Sequence, residues 1–400
     1  MKKKIPVAEL RFGMYVSELD RPWAETPFPL QGVLLATEDE LEALCKLCKH
    51  VFIDVERSRE SVAIQHEPST GQTMQLRGTT SYPEKVTVEV ELKQARNIYR
   101  ESAPLIDDFN RSAKSGRVLD AHRVKEAASH VVESVVRNPD AMLLVTKLRE
   151  KSAYTISRAL DVSIYMATFG RFLQLSPDEL ELLSMLGLLQ DVGMVRLPNE
   201  LLEKKERLSP QEFELAKKHV SYSVEILSAT PGIPQKLLDL VTLHHERYDG
   251  SGYPKGLKGA DIGLYGSIAG IVDTFGALTL QRPYADDISP SSALGILYKQ
   301  RGTNFHPALV EQFIQCVGVF PVGSVVELNT GEVGIVIAQN PLRRLKPRVM
   351  VVLDAKGCAM RPHLILDLSK DPMATANEPY QIRRALEHSK LELDPRELTL

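Results

Sequence analysis

The stretch His244-His245-Glu246-Arg247-Tyr248-Asp249-Gly250-Ser251-Gly252-Tyr253-Pro254 sets two adjacent imidazoles at the end of an apolar helical run, Leu237 to Leu243. Imidazoles are common metal ligands and serve as general acids or bases near neutral pH. Asp-Gly-Ser-Gly-Tyr-Pro cannot continue a helix, because glycine is conformationally loose and Pro254 pushes Tyr253 out of the α region. The spacing therefore predicts a helix C-terminus that delivers two His side chains, backed by a rigid loop. Taken alone, such a pair is more often structural or surface than catalytic, so its surroundings decide. Gly250-Ser251-Gly252 is not a dinucleotide fingerprint: no strand precedes it and the third glycine falls at 256.

Working outward, helical periodicity is dense from Asn138 to Val317. Helices are expected from Asp140 to Leu148 and from Tyr154 to Leu173. Ser176-Pro177-Asp178-Glu179 and Ser209-Pro210-Gln211-Glu212 are helix starts with Ser as N-cap and Pro in the first turn. The first leads into Leu180 to Leu189, apolar almost all round and so a core helix. The second leads to Ala216 to Leu227. A helix from Pro234 to Leu243 runs into the opening stretch, and Gly263 to Thr279 and Pro290 to Gln300 follow, the latter with Ser289 as N-cap. Ionisable groups sit in or beside these apolar helices: Asp191 after Gln190, His219, His244, His245 and Asp273. A bare charge there is costly unless paired or bound to metal. Any one of them reads as a satisfied core residue, whereas five that converge read as a metal site.

Here the sequence resembles the HD-GYP family, a branch of the HD phosphohydrolases that cleaves the bacterial messenger cyclic di-GMP. His244 through Gly259 follows the family signature nearly letter for letter, as do Lys218-His219, the helix of Asp273 and Arg282-Pro283-Tyr284. The likeness covers roughly residues 140 to 335, and residues 1 to 60 look like the small domain that often precedes HD-GYP. The resemblance implies metal-assisted phosphodiester hydrolysis, in which two or three ions, iron or manganese in several members, activate a hydroxide and clamp phosphate oxygens. It implies the metal set Asp191, His219, His244, His245 and Asp273, and ligand contacts from Arg282, Arg247, Asp249, Gly252, Tyr253 and Pro254. If catalysis survives, Asp191 is its catalytic residue.

This chain departs from the family at five places. Arg158 and Gln190 stand where the family has His, Met194 where it has Lys, Gly276 where it has a second acid, and Ala285 where it has a basic residue. By resemblance, Asp191, His219, His244 and His245 hold one ion, and the second would need the groups replaced by Arg158 and Gln190. A guanidinium never deprotonates to become a ligand. Its charge either stands in for the missing cation, holding Asp191, Asp273 or a ligand phosphate, or it pairs Asp161 or a neighbouring core carboxylate. The expectation is a cyclic di-GMP signalling protein with one divalent transition metal (iron or manganese) or none, impaired in hydrolysis and working by ligand or partner binding. The alternative is a working phosphodiesterase, to pGpG or GMP, with a reduced metal site. The intact loop from Arg247 to Pro254 implies docking to a diguanylate cyclase (GGDEF) domain.

Four hundred residues with 43% hydrophobic and 25% charged content exceed one ordinary domain. The fold class expected is mainly α: an HD-type helical bundle with a small N-terminal α/β domain and a short C-terminal β-appendix. The boundaries read as residues 1–60 for the α/β domain, 61–85 for a linker, 86–137 for connecting helices, 138–320 for the HD-GYP bundle, 321–368 for a β-ribbon and 369–400 for a polar tail. In the first unit, Thr37 caps a helix from Glu38 to Lys49, and Trp23 to Pro29 is a loop. Glu56 to Pro83, rich in Ser, Thr, Gly and Gln, is partly disordered linker. Gly116 splits the connecting helices, which either mediate a homodimer or pack on the next domain.

A net charge of −3 gives no nucleic-acid signature, and Arg343 to Arg348 reads as a solvated loop. No run approaches the length and apolarity of a membrane helix, and Met1-Lys2-Lys3-Lys4 lacks the apolar stretch of a signal peptide, so a cytoplasmic location is expected. Cysteines at 45, 48, 316 and 358 are too few for a disulfide framework. Cys45-Lys46-Leu47-Cys48 has no second pair, and its leucines have helical spacing.

Overall fold

The structure, a computed structural model, describes residues 2–11, 14–20, 33–35, 38–54, 75–117, 120–148, 154–204, 206–279, 288–340 and 343–386. Trp23 to Pro29, Thr37, Gly13, most of the Ser/Thr-rich segment and Arg282 to Ala285 lie outside these residues. Within them the chain is mainly helical, with a sheet at each end, as the residue patterning demands.

The N-terminal unit is a four-stranded sheet in the order β1-β4-β2-β3, formed by β1 (Lys2–Pro6), β2 (Tyr15–Leu19), β3 (Val33–Leu34) and β4 (His50–Asp54). Helix α1 (Glu38–Leu47) leads into β4. Strand β1 was not expected: the basic start becomes an edge strand, with Lys3 and Lys4 exposed and Ile5 turned into the core. Lysines on an edge also discourage pairing with other chains. Cys48 is part of that core, packed with Val16, Leu44 and Val51, in keeping with a structural thiol.

Helices α2 (Val88–Lys114) and α3 (Ala121–Arg137) form the expected pair, and Gly116 turns between them at φ +68°. Glu91 of α2 is buried and takes hydrogen bonds from Ser134 and from both ends of the Arg137 guanidinium. The pair therefore packs on itself and on the bundle: Leu92, Ile98, Val124 and Val131 belong to the same core as α4 (Pro139–Leu148), α5 (Tyr154–Phe172) and α6 (Pro177–Leu189). Residues 75 to 83, expected in the linker, run along the end of α5. Gly78 and Thr80 donate to Leu173 O and Gln174 O at 2.9 Å, and Tyr82 Oη reaches Leu175 O at 2.6 Å. At Gly78 a Cβ would sit 2.2 Å from Gln174 O, so only glycine lets the segment lie this close.

Next come the short α7 (Asn199–Leu202), α8 (Pro210–Ser228), α9 (Gln235–Val241), α10 (Gly263–Thr279), α11 (Pro290–Lys299) and α12 (Pro307–Val317). Both Ser-Pro-x-Glu starts are complete capping boxes, in which Glu179 and Glu212 reciprocate the Ser176 and Ser209 caps. The stretch Gly259–Thr279 is long and apolar enough to meet a length-and-composition test for a membrane span, contrary to the expectation that no run would. It contains α10, whose Ile268, Ala269, Ile271, Val272 and Phe275 are wholly buried in the bundle.

The C-terminal β-region is larger than a ribbon. Strands β5 (Val325–Leu328), β6 (Val333–Ala338), β7 (Arg348–Leu353), β8 (Ala359–Asp367) and β9 (Ile382–Leu386) make an antiparallel sheet in the order β8-β7-β6-β5-β9. Strand β9 comes from the segment expected to be a polar tail. Its alternation is masked by Arg383 and Arg384, which pair with Glu327 of β5 across the strands. Period-two alternation in β6 sends Ile335 and Ile337 into the helical core and Val336 into a second cluster with Val326, Val349 and Val351.

Candidate metal and ligand site

Four elements deliver the expected site. Gln190 caps the C-terminus of α6, and Asp191 opens the 3-10 turn Val192–Arg196. The turn lies tight against α8, where Gly193 has room for no Cβ, since one would meet His219 O at 2.1 Å. Ser223 fixes the crossing by accepting from Gly193 N and donating to Gln190 O, both at 2.8 Å. His219 thereby faces Asp191.

The His pair lies in turns just beyond α9, which ends at Val241, two residues before the Leu243 expected from periodicity. Side chains take up the closing carbonyls: Thr242 Oγ1 donates to Asp239 O, and His244 Nδ1 donates to Val241 O, both at 2.8 Å. The backbone is thus free to leave the helix, in line with the need to satisfy terminal carbonyls.

Asp191, His219, His244 and His245 each offer a ligand atom, and these atoms all lie within 4.8 Å of one another. The protons on two rings follow from their partners. His219 Nδ1 faces Ala216 O at 2.7 Å and His244 Nδ1 faces Val241 O at 2.8 Å, and a carbonyl only accepts. Both Nε2 atoms then carry lone pairs. They lie 3.3 Å apart and stand 3.4 and 3.5 Å from Asp191 Oδ1, a buried oxygen that makes no hydrogen bond. Three lone-pair atoms so arranged need a cation or an added proton between them. Ligands bonded to a transition metal at about 2.0–2.2 Å are separated by roughly 3.0–3.5 Å, so the observed spacing fits an ion.

Arg158, on α5, reaches the same carboxylate from the other side. Its Nη1 lies 3.0 Å from Asp191 Oδ2 and its Nη2 lies 2.6 Å from Asp273 Oδ1. Gln190 Nε2 donates to that same Asp273 oxygen at 3.0 Å, while its own Oε1 is buried without a hydrogen bond. Asp273 is therefore outside the four-ligand cluster and held by Arg158 and Gln190. Of the carboxylates expected for Arg158, Asp191 and Asp273 are both paired with it. Burial alone would raise the Asp191 carboxyl, but the Arg158 guanidinium, aided by His244 and His219, outweighs it and holds it well below the usual carboxylate range. Burial opposes charge on His244, yet Asp191 prevails and raises it, whereas burial lowers His219 and His245. Met194 is half-buried in the turn after Asp191. Gly276 is one helical turn beyond Asp273, where a Cβ would come 3.2 Å from Val162, so close packing of α10 on α5 leaves little space for an acid.

The loop is anchored to the cluster by a residue the sequence reading passed over. Glu246 is 3% exposed, and its two oxygens accept from Lys255 N at 2.8 Å and Leu257 N at 2.9 Å. An acid directly before a glycine-rich turn with free N–H groups is the signal that points to it. Gly252 passes over this residue, and a Cβ there would sit 2.3 Å from Arg247 N and 2.6 Å from Glu246 C. The close approach lays the Tyr253 ring beside His245, centroids 4.8 Å apart, and the Tyr253–Pro254 bond is cis. Asp249 Oδ1 accepts from Ser251 N at 2.9 Å, which shapes the exposed turn. The Arg247 guanidinium lies over Phe305 and donates to Glu246 O at 3.2 Å. Arg247, Gly252 and Tyr253 thus border the cluster, Asp249 and Pro254 are exposed on the loop, and Arg282 lies outside the described residues.

The fold and site define a class, and comparison with known proteins narrows it. Residues 141–309 match the HD domain, residues 2–124 a domain of unknown function (DUF3391), and residues 325–388 a KOW domain associated with HD domain. A cyclic di-GMP phosphodiesterase of Pseudomonas aeruginosa is 29% identical over 92% of this chain and 90% of its own. A 3'3'-cGAMP-specific phosphodiesterase of Vibrio cholerae is 34% identical over 43% of this chain and 33% of its own. The cyclic di-GMP phosphodiesterase response regulator RpfG of Xanthomonas campestris is 38% identical over 36% of this chain and 38% of its own. The latter two similarities are thus confined to part of each relative. The chain thus carries an HD domain over residues 141–309, and its complete Gly-Tyr-Pro loop is similar to that of the HD-GYP group.

Proposed function

We propose that this protein serves cyclic di-GMP signalling chiefly by binding, through an HD-GYP domain whose second metal position is filled by the Arg158 guanidinium. The observation that carries this reading is the Arg158 bridge between Asp191 and Asp273. One cation of the protein's own sits between two carboxylates, beside a four-ligand set that suits a single ion. Asp191, His219, His244 and His245 are the residues that would hold iron or manganese. Such an ion supplies Lewis acidity toward a phosphoryl oxygen. The side chains divide the remaining work. Asp191 faces the imidazoles with one oxygen and Arg158 with the other, His245 is ordered by Tyr253, and Glu246 holds the loop that shapes the mouth. With Asp273 committed to Arg158 and Gln190, and Met194 in the turn after Asp191, hydrolysis is slow or absent. The ligand contacts assigned to this reading are Arg247, Asp249, Gly252, Tyr253, Pro254 and Arg282. The exposed turn around Asp249 is its docking surface for a diguanylate cyclase domain.

A second reading is favoured by the intact four-ligand set itself: a phosphodiesterase that works with one ion. Purified protein loaded with manganese or with iron, assayed for pGpG and GMP and for bound metal, separates the two. Binding of cyclic di-GMP with one ion per chain and no turnover supports the first. Turnover that disappears in Asp191→Ala and His245→Ala establishes the second.

A further inference from the structure

The cluster does not end at its ligands. From His245 a row of rings leads outward: Tyr253 lies beside His245 with an interplanar angle of 31°, and Phe213 of α8 meets Tyr253 edge-on at 6.1 Å. Phe213 is 46% exposed although it sits next to a buried polar site. Lys217, one turn further along α8, places Nζ 4.8 Å from the Phe213 centroid and 5.3 Å from that of Tyr253. A lone exposed apolar residue means little. An exposed aromatic face, next to a cation, continuous with a metal cluster, has a specific chemistry.

We propose that Phe213, set perpendicular to Tyr253, is the stacking platform for a purine base of the bound ligand, with Tyr253 and Lys217 at its edge and the lysine meeting the sugar-phosphate backbone. The proposal rests on the reading of the site as one for a cyclic nucleotide, and adds which residues recognise the base. A base has a flat π-face that stacks on aromatic side chains whatever its edge pattern. The phosphate of the same nucleotide is anionic and belongs near the cluster and the lysine. Among the described residues the ion pair of Lys217 is with exposed Glu214 at 2.6 Å, an i,i+3 contact that a phosphate displaces at little cost. The bland role for Phe213, propping Tyr253 in place, makes a different forecast, because it would affect every ligand alike.

The test uses the full chain loaded with manganese, titrated calorimetrically with cyclic di-GMP, GMP and inorganic phosphate. Phe213→Ala is expected to weaken both guanine ligands roughly tenfold, the loss of one stacked base, and to leave phosphate unchanged. Phe213→Trp is expected to keep or tighten guanine binding. Equal guanine affinity in wild type and Phe213→Ala overturns the platform while sparing the functional reading. So does an equal loss for phosphate, which assigns Phe213 the propping role. Wild-type protein that binds neither cyclic di-GMP nor GMP overturns the functional reading, and the platform with it.

Discussion

Arg158 carries one positive charge into a place where two acids, Asp191 and Asp273, face each other. Buried carboxylates need compensation, and breaking a buried ion pair by removing one partner typically costs about 3–5 kcal/mol. Arg158→Ala is therefore expected to lower stability by roughly that amount, read from urea denaturation. Manganese is expected to restore more stability to this variant than to wild type, because a divalent ion can replace the lost charge. Equal metal-induced shifts in both proteins would show that Arg158 and the ion do not share a task. Most of this site was legible one residue at a time: the acids and imidazoles announce themselves by lying in apolar helices. What the sequence left open was the pairing, since Asp191, Asp273, Asp161 and a ligand phosphate were all eligible partners for Arg158. Arg158 and Asp273 are 115 residues apart, and only the packing of α5 on α10 brings them to 2.6 Å.

At the scale of the element, the loop between α9 and α10 is ordered by a buried acid. Each Glu246 oxygen has its own backbone N–H, from Lys255 and Leu257. Glu246→Gln leaves one of those N–H groups opposite an amide NH2, and an unsatisfied buried donor costs about 1–3 kcal/mol. The variant is expected to lose that much stability and to become cleavable by trypsin at Lys255 or Lys258, mapped by mass spectrometry. Helix α8 offers a milder case. Ser209 accepts from Glu212 N and the Glu212 carboxylate returns to Ser209 N at 2.7 Å. Ser209→Ala should cost about 1 kcal/mol in the same denaturation experiment. Both helix starts were visible as Ser-Pro-x-Glu because capping is local. The end of α9 was not, since His244 and Thr242 side chains close it in place of the usual glycine.

At the scale of the molecule, the bundle and the C-terminal sheet share one core and one buried acid. Asp140, at the start of α4, accepts from Gln339 N just past β6 at 2.9 Å. Burial pushes its carboxyl up to about 7, against a backbone hydrogen bond that favours the charged form. The folded chain thus holds a proton that the unfolded chain has released above the ordinary carboxylate range. Stability contributed by this group is full below the ordinary carboxylate value of 3.8 and is lost as pH rises from there through about 7, by roughly 4 kcal/mol over the whole span. Asp140→Asn keeps an acceptor for Gln339 N and cannot titrate. Its stability is expected to change less than that of wild type between pH 5 and 8, measured by urea denaturation at each pH. Parallel profiles for the two proteins would remove Asp140 from the account. Arg348 of β7, registered opposite Ala338, pairs with Glu89 of α2, so the basic run is partly an inter-element tie.

The order of elements, both capping boxes, the split at Gly116 and the stretch from His244 to Pro254 follow from residues close together in the chain. Local backbone preference and side-chain period act over a few residues, so the sequence alone determined them. Strand β9 and the packing of residues 75 to 83 depend on partners far away, Glu327 in one case and the end of α5 in the other. So does the central feature of the site. That a guanidinium lies between Asp191 and Asp273, with Gln190 beside it, was decided by tertiary structure. Buried charge must find its counter-charge in space, and that requirement carries no signature in sequence spacing.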